Sequence, residues 1–422
     1  MPALRRELSL LGATLFGIAI IVGAGIYALL GKAAGIAGDG MWFSFLLSAI
    51  VAAFTGLSYA ELSSIYPRAG SSYTYIKHAF KNDVLAFFAG WLIAFELIFG
   101  ASAVALALAG YASSIISFNL LAVAAAALVI FSAVNYLGIK ESEYSNNAMA
   151  VIEVAGLVFV ILLGLLFGAR APNLTNFDFG AVAQAAGLVF FAYLGFEAIA
   201  VESEETKVPK KTIPRAILLS VAVCAALYVL TAVASLKLLS PAALASSSAP
   251  LRDAVVGIIG EQNAVWLAVI AIISAANTIL VCLVTGSRLL YGMASGGSLP
   301  VFLGAVNKRF RTPHYSVVLA GLAAVGFLAF GNLEELASVT NLGALVAFVL
   351  VNASVIALRV KEPRARREFR IPLNVKNVPV TAVLGILSCA WLLLQLPLKA
   401  FWAAAALAAA GLAIYFVAKR LK

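Results

Sequence analysis

Long apolar stretches recur along almost the whole length of this 422-residue chain. A helix needs roughly 17 to 25 mostly apolar residues to cross a bilayer. Twelve stretches reach that length, with centres near residues 22, 52, 100, 129, 157, 192, 226, 275, 322, 348, 388 and 409. Since 63% of the residues are apolar and 11% carry a charge, folding alone cannot shield the hydrophobic surface from water. The sequence therefore predicts an all-α integral membrane protein with 12 transmembrane helices.

The Lys and Arg residues predict the orientation of these helices, because positively charged loops stay on the cytoplasmic side. With both termini cytoplasmic, 23 of the 29 basic residues fall on that side. Arg288 lies within the eighth segment, and five basic residues fall outside: Lys32, Arg170, Lys237, Arg252 and Lys399. The net charge of +10 is thus interpreted as orientation signal and lipid contact, and nucleic-acid binding is not expected. We expect a multi-pass protein of the plasma (inner) membrane.

Two short glycine-containing stretches interrupt the first and the sixth apolar segments. They are Gly23-Ala24-Gly25 and Tyr193-Leu194-Gly195-Phe196-Glu197. Inside a bilayer a helix unwinds only where protein or a solvated cavity satisfies the freed backbone groups. Paired breaks predict a binding site near the middle of the membrane, although close packing of helices through glycine is the alternative explanation.

If the two breaks correspond, the chain consists of two five-helix repeats of opposite orientation. The predicted boundaries are about 9–168 for the first repeat and about 181–360 for the second. Helices eleven and twelve follow at about 378–419. All of them belong to one transmembrane domain, residues 1–422, with helices 1 and 6 broken.

The chemistry of the two breaks predicts what they bind. The half-helix that starts at the first break presents free NH groups and a positive dipole end, which suit a carboxylate. At the second break the carbonyl groups of Phe191, Ala192 and Leu194 become free to accept hydrogen bonds from an ammonium group. A site for an anion beside a site for a cation describes a zwitterion such as an α-amino acid.

Three glutamates lie within long apolar runs: Glu96 in segment three, Glu153 in segment five and Glu197 just after the second break. An ionisable residue at this depth is costly and is functional by default. Each is a candidate proton carrier or a partner for a cationic substrate. The alternative is that each locks helices together through hydrogen bonds. Glu61 and Glu202 lie nearer the inner ends of their segments, where a solvated or a gate-pairing role is expected.

Other classes of site are not indicated by the sequence. His78 and His314 lie in loops beside basic residues and offer no metal-ligand set, and the three cysteines lie far apart in apolar segments. No phosphate-binding or nucleophilic-triad motif is present at membrane depth. We therefore expect no enzyme activity, no metal site and no cofactor. The connection at residues 239–262 is expected to hold a short surface helix, and the run from Arg359 to Arg370 is interpreted as a solvated cytoplasmic loop.

Four motifs resemble, in chain order, those of the amino acid–polyamine–organocation transporters and of their cationic amino acid transporter-like branch. The first two are Gly17–Gly31 with its Gly-Ala-Gly-Ile, and Tyr59-Ala60-Glu61-Leu62 followed by Tyr66–Tyr75. The others are Phe190–Glu197 leading into Glu204–Pro209 and Ile213–Ile217, and Ser287–Met293 with Leu299-Pro300. The resemblance spans most of the chain.

The resemblance implies a LeuT-type fold of five plus five inverted helices, alternating access and secondary transport of amino acids or related amines. It places backbone contacts to the substrate carboxylate at Ile21, Gly23, Ala24 and Gly25. The carbonyl groups fall at Phe191, Ala192 and Leu194, and the candidate aromatic gates are Phe191 and Phe196. Glu96 occupies the position of the segment-three glutamate of this branch, and a carboxylate recurs in relatives at Glu197.

One departure concerns the fifth segment, where some proton-coupled relatives carry a lysine and this chain has Glu153. The lysine ammonium is thought to stand where sodium-coupled members of the wider fold bind an ion. Glu153 therefore leaves three possibilities open: a bound cation, a proton, or a fixed pair. We expect proton-coupled symport of an amino acid, with sodium coupling, amino acid or polyamine exchange, and a non-transporting scaffold as alternatives.

Overall fold

The computed structural model describes residues 8–67, 71–138, 143–204 and 206–420. Its α-helices are α1 Leu10–Val22, α2 Ala24–Ala37, α3 Met41–Ile65, α4 Ser71–Phe80, α5 Asp83–Ser113, α6 Leu120–Leu137, α7 Glu143–Phe167, α8 Phe179–Val189, α9 Pro209–Leu238, α10 Pro241–Ser246, α11 Pro250–Ile259, α12 Glu261–Ser295, α13 His314–Phe327, α14 Leu333–Lys361, α15 Val380–Leu393 and α16 Leu398–Arg420. Four 3₁₀ helices span Gly38–Gly40, Phe190–Tyr193, Phe196–Glu204 and Val301–Gly304. Two short strands, β1 Asn374–Val375 and β2 Val378–Pro379, pair antiparallel.

Nine helical stretches of the described residues are long and apolar enough to cross a membrane. One of them, Gly25–Ile65, contains most of α2 and all of α3. Three further apolar helices, α1, α13 and α15, have between 10 and 17 residues. The predicted all-helical membrane protein is thus confirmed, whereas the count of 12 spanning helices stays a prediction.

The ends of these helices follow from local sequence signals. At the start of α14 the Asn332 side chain accepts from the Glu335 amide, and the Glu335 carboxylate accepts from the Asn332 amide. This reciprocal pair satisfies two amide groups that a helix start leaves without partners. Arg359 and Lys361 lie in the last turn of α14, where positive charge interacts favourably with the helix dipole.

The first broken segment consists of α1 and α2, which are separated by one residue. Gly23 has φ −25° and ψ −159°, outside the helical region, and as the N-cap residue of α2 it has no side chain with which to cap the helix. The first amide groups of α2 therefore have no partner within their own helix. This is the break that the glycines predict.

The second broken segment, residues 179–204 and called the sixth segment below, changes its winding twice. Its α-helix, α8, ends at Val189 and continues as two 3₁₀ helices. Between them Leu194 is extended, with ψ 147°, and Gly195 has φ +115°, a conformation that side chains with a Cβ rarely adopt. The sequence and the structure agree on the position of this break.

Among the nine long stretches of the described residues, α5 is the most buried, with 78% of its most apolar window inside the protein. It contacts α12 and α14, and α3 packs against α9. By contrast, the corresponding windows of α6 and α16 are 22% and 17% buried, as expected of helices that face lipid. The connection at residues 239–262 holds α10 and α11, which pack against α2, so the expected short surface helix is confirmed.

The interpretation of the whole Arg359–Arg370 run as solvated is wrong for two of its residues. The Arg359 side chain is 1% exposed and that of Arg367 is 7% exposed. Both form ion pairs with Glu61, whose side chain is 1% exposed. Of the two roles expected for Glu61, the solvated one is therefore wrong as well, because a buried charge requires partners and the run supplies them; the gate-pairing role stays a prediction.

Candidate functional site

A cavity of about 80 Å³ lies between the two broken segments, α5, α12 and α14. The predicted site residues that line it are Ile21, Gly23, Gly25, Glu96, Phe191, Leu194 and Glu197. Ala24 belongs to the first turn of α2, between two of these glycines. Three predicted residues, Ala192, Phe196 and Glu153, are not among those that line the cavity.

The two breaks touch each other directly through their glycines. A Cβ on Gly25 would lie 2.5 Å from the Cα of Ala192, and a Cβ on Gly195 would lie 2.3 Å from Cγ2 of Ile20. Only glycine allows backbone to approach this closely. The two interrupted segments therefore form one continuous wall of the cavity.

Tyr228 of α9 joins the carbonyl groups of both breaks. Its buried hydroxyl lies 2.5 Å from the Ile21 oxygen, in the last turn of α1, and 3.0 Å from the Ala192 oxygen, in the sixth segment. The single hydroxyl proton is shared between these two acceptors. Tyr228 thus replaces part of the hydrogen bonding that both helices lose when they unwind.

Asn341 of α14 performs a similar role at the end of α8. Its side-chain amide donates to the Gly187 and Leu188 oxygens, both at 2.8 Å. The sequence analysis missed both Tyr228 and Asn341. A polar side chain in a long apolar run is the signal that marks Asn341, whereas a tyrosine in such a run carries little local signal.

Two carboxyl groups face the cavity. Both oxygens of Glu197 accept from the Gly195 amide, at 3.0 and 3.1 Å, while Glu96 of α5 is 5% exposed. The other polar side chains that line the cavity are uncharged: Asn277, Thr278, Cys282, Thr285 and Thr340. Among the described residues, no Lys, Arg or His lines it. The charge of this cavity is therefore carried by carboxyl groups alone.

Phe196 lies behind the cavity wall and is fully buried. Its ring packs against Tyr59 of α3, at a centroid distance of 5.7 Å, and against Phe348 of α14, at 5.2 Å. Phe191, in contrast, lines the cavity itself. Of the two candidate aromatic gates, only Phe191 is placed to contact a bound molecule in this conformation.

Glu153 of α7 lies apart from the cavity and is 1% exposed. Neither of its carboxyl oxygens has a hydrogen-bond partner among the described residues. The Ser274 hydroxyl of α12 lies near this carboxyl, but the two form no hydrogen bond, and Ser274 Oγ has no other partner among the described residues. The backbone oxygen of Glu153 accepts from the Tyr27 hydroxyl at 3.1 Å, which connects this position to α2.

A comparison with known proteins identifies the family from the whole chain, because the family model for amino acid permeases matches residues 8–418. The chain belongs to the amino acid permease family. The branched-chain amino acid permease of Bacillus subtilis is 34% identical over 99% of this chain and 94% of its own length. The methylthioribose transporter of the same organism is 33% identical over 99% and 94%. Cationic amino acid transporter 4 of Mus musculus is 30% identical over 85% of this chain and 60% of its own length.

Membership of the amino acid permease family makes this protein a membrane transporter rather than an enzyme. The predicted membership of the amino acid–polyamine–organocation superfamily, in its cationic amino acid transporter-like branch, is confirmed. The cavity between the breaks is accordingly the candidate substrate site of a permease.

Replacing Gly25 with alanine is expected to disable this site. The new methyl group would press on backbone at Ala192, and overpacking of this kind typically costs about 1–3 kcal/mol. We expect the initial rate of amino acid uptake into proteoliposomes to fall about tenfold or more. Gly257→Ala is the matched control, since a methyl there meets nothing within 4 Å. Uptake within about twofold of the unaltered protein would contradict the need for this close approach.

Replacing Tyr228 with phenylalanine is expected to destabilise both breaks. Two buried carbonyl groups would lose their shared donor, and each unsatisfied group costs about 1–3 kcal/mol. The measurement is the midpoint of thermal unfolding in detergent, which should fall by several degrees. Tyr315→Phe, at a side chain that is 49% exposed, should leave the midpoint unchanged. Equal midpoints for the two variants would show that Tyr228 does not hold the breaks.

Proposed function

We propose that this permease carries amino acids across the plasma membrane by proton-coupled symport with alternating access. The observation that carries the proposal is the cavity enclosed by two broken segments, with carboxyl groups as its charged lining. A substrate held there, between two helices that each consist of movable halves, can be exposed to either side of the membrane in turn.

We further propose the LeuT-type arrangement of 12 helices, with both termini cytoplasmic. The nine long and three shorter apolar stretches add up to 12 spans if α1 and α2 together form the first span and α3 forms the second. The repeats would then cover about residues 9–168 and 181–360, with helices at about 378–419 appended. The 23-to-five distribution of basic residues supports the orientation.

The two ends of the cavity support binding of a zwitterion. The uncapped start of α2, at Gly23 to Gly25, offers amide groups to the substrate carboxylate. The ammonium group would lie toward Glu96, Glu197 and the carbonyl groups of the sixth segment. Phe191 and Ala192 already accept one hydrogen bond each, from the Leu194 amide and the Tyr228 hydroxyl, and a carbonyl oxygen can accept a second.

The size of the cavity favours a small amino acid in this conformation. A volume of about 80 Å³ has room for roughly six water molecules. Alanine has a comparable number of non-hydrogen atoms. The names of two relatives point to amino acids, and that of a third to methylthioribose. Methylthioribose is therefore the competing ligand that a binding screen must include.

The screen measures the thermal unfolding midpoint of the purified permease with each of the twenty amino acids, with polyamines and with methylthioribose. A ligand that binds the folded form raises the midpoint by mass action. We expect a small neutral amino acid to give the largest shift. A shift with methylthioribose alone would replace the proposed substrate class, and no shift with any ligand, together with no uptake, would indicate a non-transporting protein.

Two carboxyl groups line one cavity, and no basic side chain of the described residues lines it with them, which favours proton coupling. If both were ionised, their repulsion would be costly away from water, and a proton or the substrate ammonium removes that cost. Glu197 is the leading proton carrier because it lies on the second break, next to Gly195. Exchange of amino acids instead of symport would require substrate inside the vesicle before any uptake occurs.

Glu197→Gln is expected to uncouple transport from the proton gradient, since the amide cannot release a proton. In proteoliposomes, an outside pH one unit below the inside should accelerate uptake by the unaltered protein. The variant should show no acceleration but should still exchange internal for external amino acid. Glu261→Gln, at an exposed position in the first turn of α12, is the control. An unchanged response in the Glu197 variant would remove this residue from the coupling.

Sodium coupling is the second candidate. The oxygens of Glu153 and Ser274 favour it, since they have no hydrogen-bond partner among the described residues and hard cations bind such oxygens. Under the proton proposal, a sodium gradient at constant pH should leave uptake unchanged. Sodium stimulation that disappears in Glu153→Gln would establish the sodium alternative. The control for this experiment is a potassium gradient of equal size.

A further inference from the structure

Glu61, near the end of α3, binds two arginines in a fully buried ion cluster. Its carboxylate accepts from Arg359 through Nε at 2.8 Å and Nη2 at 2.5 Å, and from Arg367 Nε at 3.1 Å. A fourth hydrogen bond comes from the Ile371 amide at 2.9 Å. The carboxylate is thus saturated by groups from α14 and from the link between α14 and α15.

The cluster joins structural elements that are far apart in sequence. Arg359 lies in the last turn of α14, and its guanidinium also donates to the Asn374 side chain and to the Ile371 oxygen. The Asn377 side chain donates to the Arg359 backbone oxygen at 2.9 Å. Removing one member of such a buried cluster leaves the other charges without partners, which is strongly destabilising.

One level deeper, the Asn352 side chain continues the contact between α14 and α3. Its Nδ2 donates to Thr55 Oγ1 at 3.0 Å and to the Phe348 backbone oxygen at 2.9 Å. Its Oδ1 accepts from Ser58 Oγ at 2.6 Å. A buried amide with these fixed partners permits one register of the two helices, since any shift would leave polar groups unsatisfied.

The next level of the same contact is aromatic and reaches the sixth segment. Tyr59 of α3 and Phe348 of α14 lie 5.8 Å apart between ring centroids, and Phe196 packs against both. Phe196 lies between Gly195 and Glu197, which both line the cavity. A shift of α3 against α14 would therefore move the residue that carries the cavity carboxyl group.

We propose that the cluster of Glu61, Arg359 and Arg367 is a positioning group for the substrate site. It fixes the register of α3 and α14, whose Tyr59 and Phe348 hold Phe196 and thereby place Glu197 in the cavity. The proposal depends on the proposed function in one respect: the cavity must be the site that binds the transported molecule.

The first test is the affinity for the transported amino acid. Glu61→Gln removes the charge and directs an amide toward the arginines, and we expect its KM for uptake to rise about fivefold or more, with a smaller change in maximal rate. Glu61→Asp should recover part of the affinity. Arg366→Gln is the matched control, because the Arg366–Glu368 pair is exposed, with 87% of the arginine side chain accessible. A KM that does not change in Glu61→Gln would overturn the proposal.

The second test asks whether the ion cluster and the aromatic contact of Tyr59, Phe348 and Phe196 act together. Phe348→Leu leaves the ion cluster in place, and Phe348 lies 11 residues from Arg359 in α14, about 16 Å at 1.5 Å per residue. Effects of independent sites at this distance add in free energy. We expect Glu61→Gln and Phe348→Leu each to raise KM, and the double variant to raise it little further. Effects that multiply would show that the cluster does not act through Phe348.

A readout without substrate separates this proposal from the proposed function. Cys282 lines the cavity, whereas Cys224 and Cys389 are buried, so alkylation of Cys282 in a Cys224→Ala, Cys389→Ala background reports the shape of the cavity. Glu61→Gln and Phe348→Leu should change its rate by the same factor, and Arg366→Gln should not. If the unaltered protein binds no amino acid, the proposed function fails while this comparison still decides the positioning role.

Arg367→Gln provides the same measurements if Glu61→Gln does not fold, because it removes one of the four hydrogen bonds to Glu61 and keeps the pair with Arg359. We expect it to change KM and the alkylation rate in the same direction as Phe348→Leu, but by less. A folded Arg367→Gln protein with an unaltered cavity by both measures would overturn the proposal.

Discussion

The hydrogen-bonding requirement of the backbone determines the form of this permease. Where α1 and the α-helix of the sixth segment end, carbonyl groups lose their helical partners inside the protein. Tyr228 and Asn341 supply donors from α9 and α14, and Glu197 accepts from the Gly195 amide. Side chains from α9 and α14 thus satisfy backbone groups beside both breaks.

The same requirement explains why the cavity is chemically asymmetric. Its lining includes Gly23 and Gly25 at the start of α2, and the start of a helix attracts a negative group. The charged part of its lining is Glu96 and Glu197, and no basic side chain among the described residues lines it. An occupant with a carboxylate at one end and an ammonium at the other complements both, and it also relieves the repulsion between two carboxyl groups.

Local sequence signals revealed the breaks and the buried glutamates, because a glycine run or a charge inside an apolar stretch is visible without knowledge of the fold. Partners supplied from far along the chain were not visible. Tyr228 binds the Ile21 oxygen across 207 positions, and Arg359 binds Glu61 across 298. The arginine run was therefore assigned to solvent, although two of its members neutralise a carboxylate in α3. Aromatic residues showed the same limit, since nothing near Phe196 in sequence distinguishes a ring behind the wall from one that lines the cavity.

Glu153, the residue of the sodium alternative, lies apart from the substrate cavity. Its carboxyl group does not line the cavity, but its backbone oxygen binds the Tyr27 hydroxyl, and the Tyr27 backbone oxygen accepts from Tyr111. Tyr27 belongs to the first turn of α2, two residues after Gly25. A cation or proton at Glu153 would therefore influence the substrate through the placement of α2, whose Gly25 lines the cavity, rather than by contact with it. Under the sodium alternative, coupling would then depend on how firmly α7 holds the second half of the first broken helix.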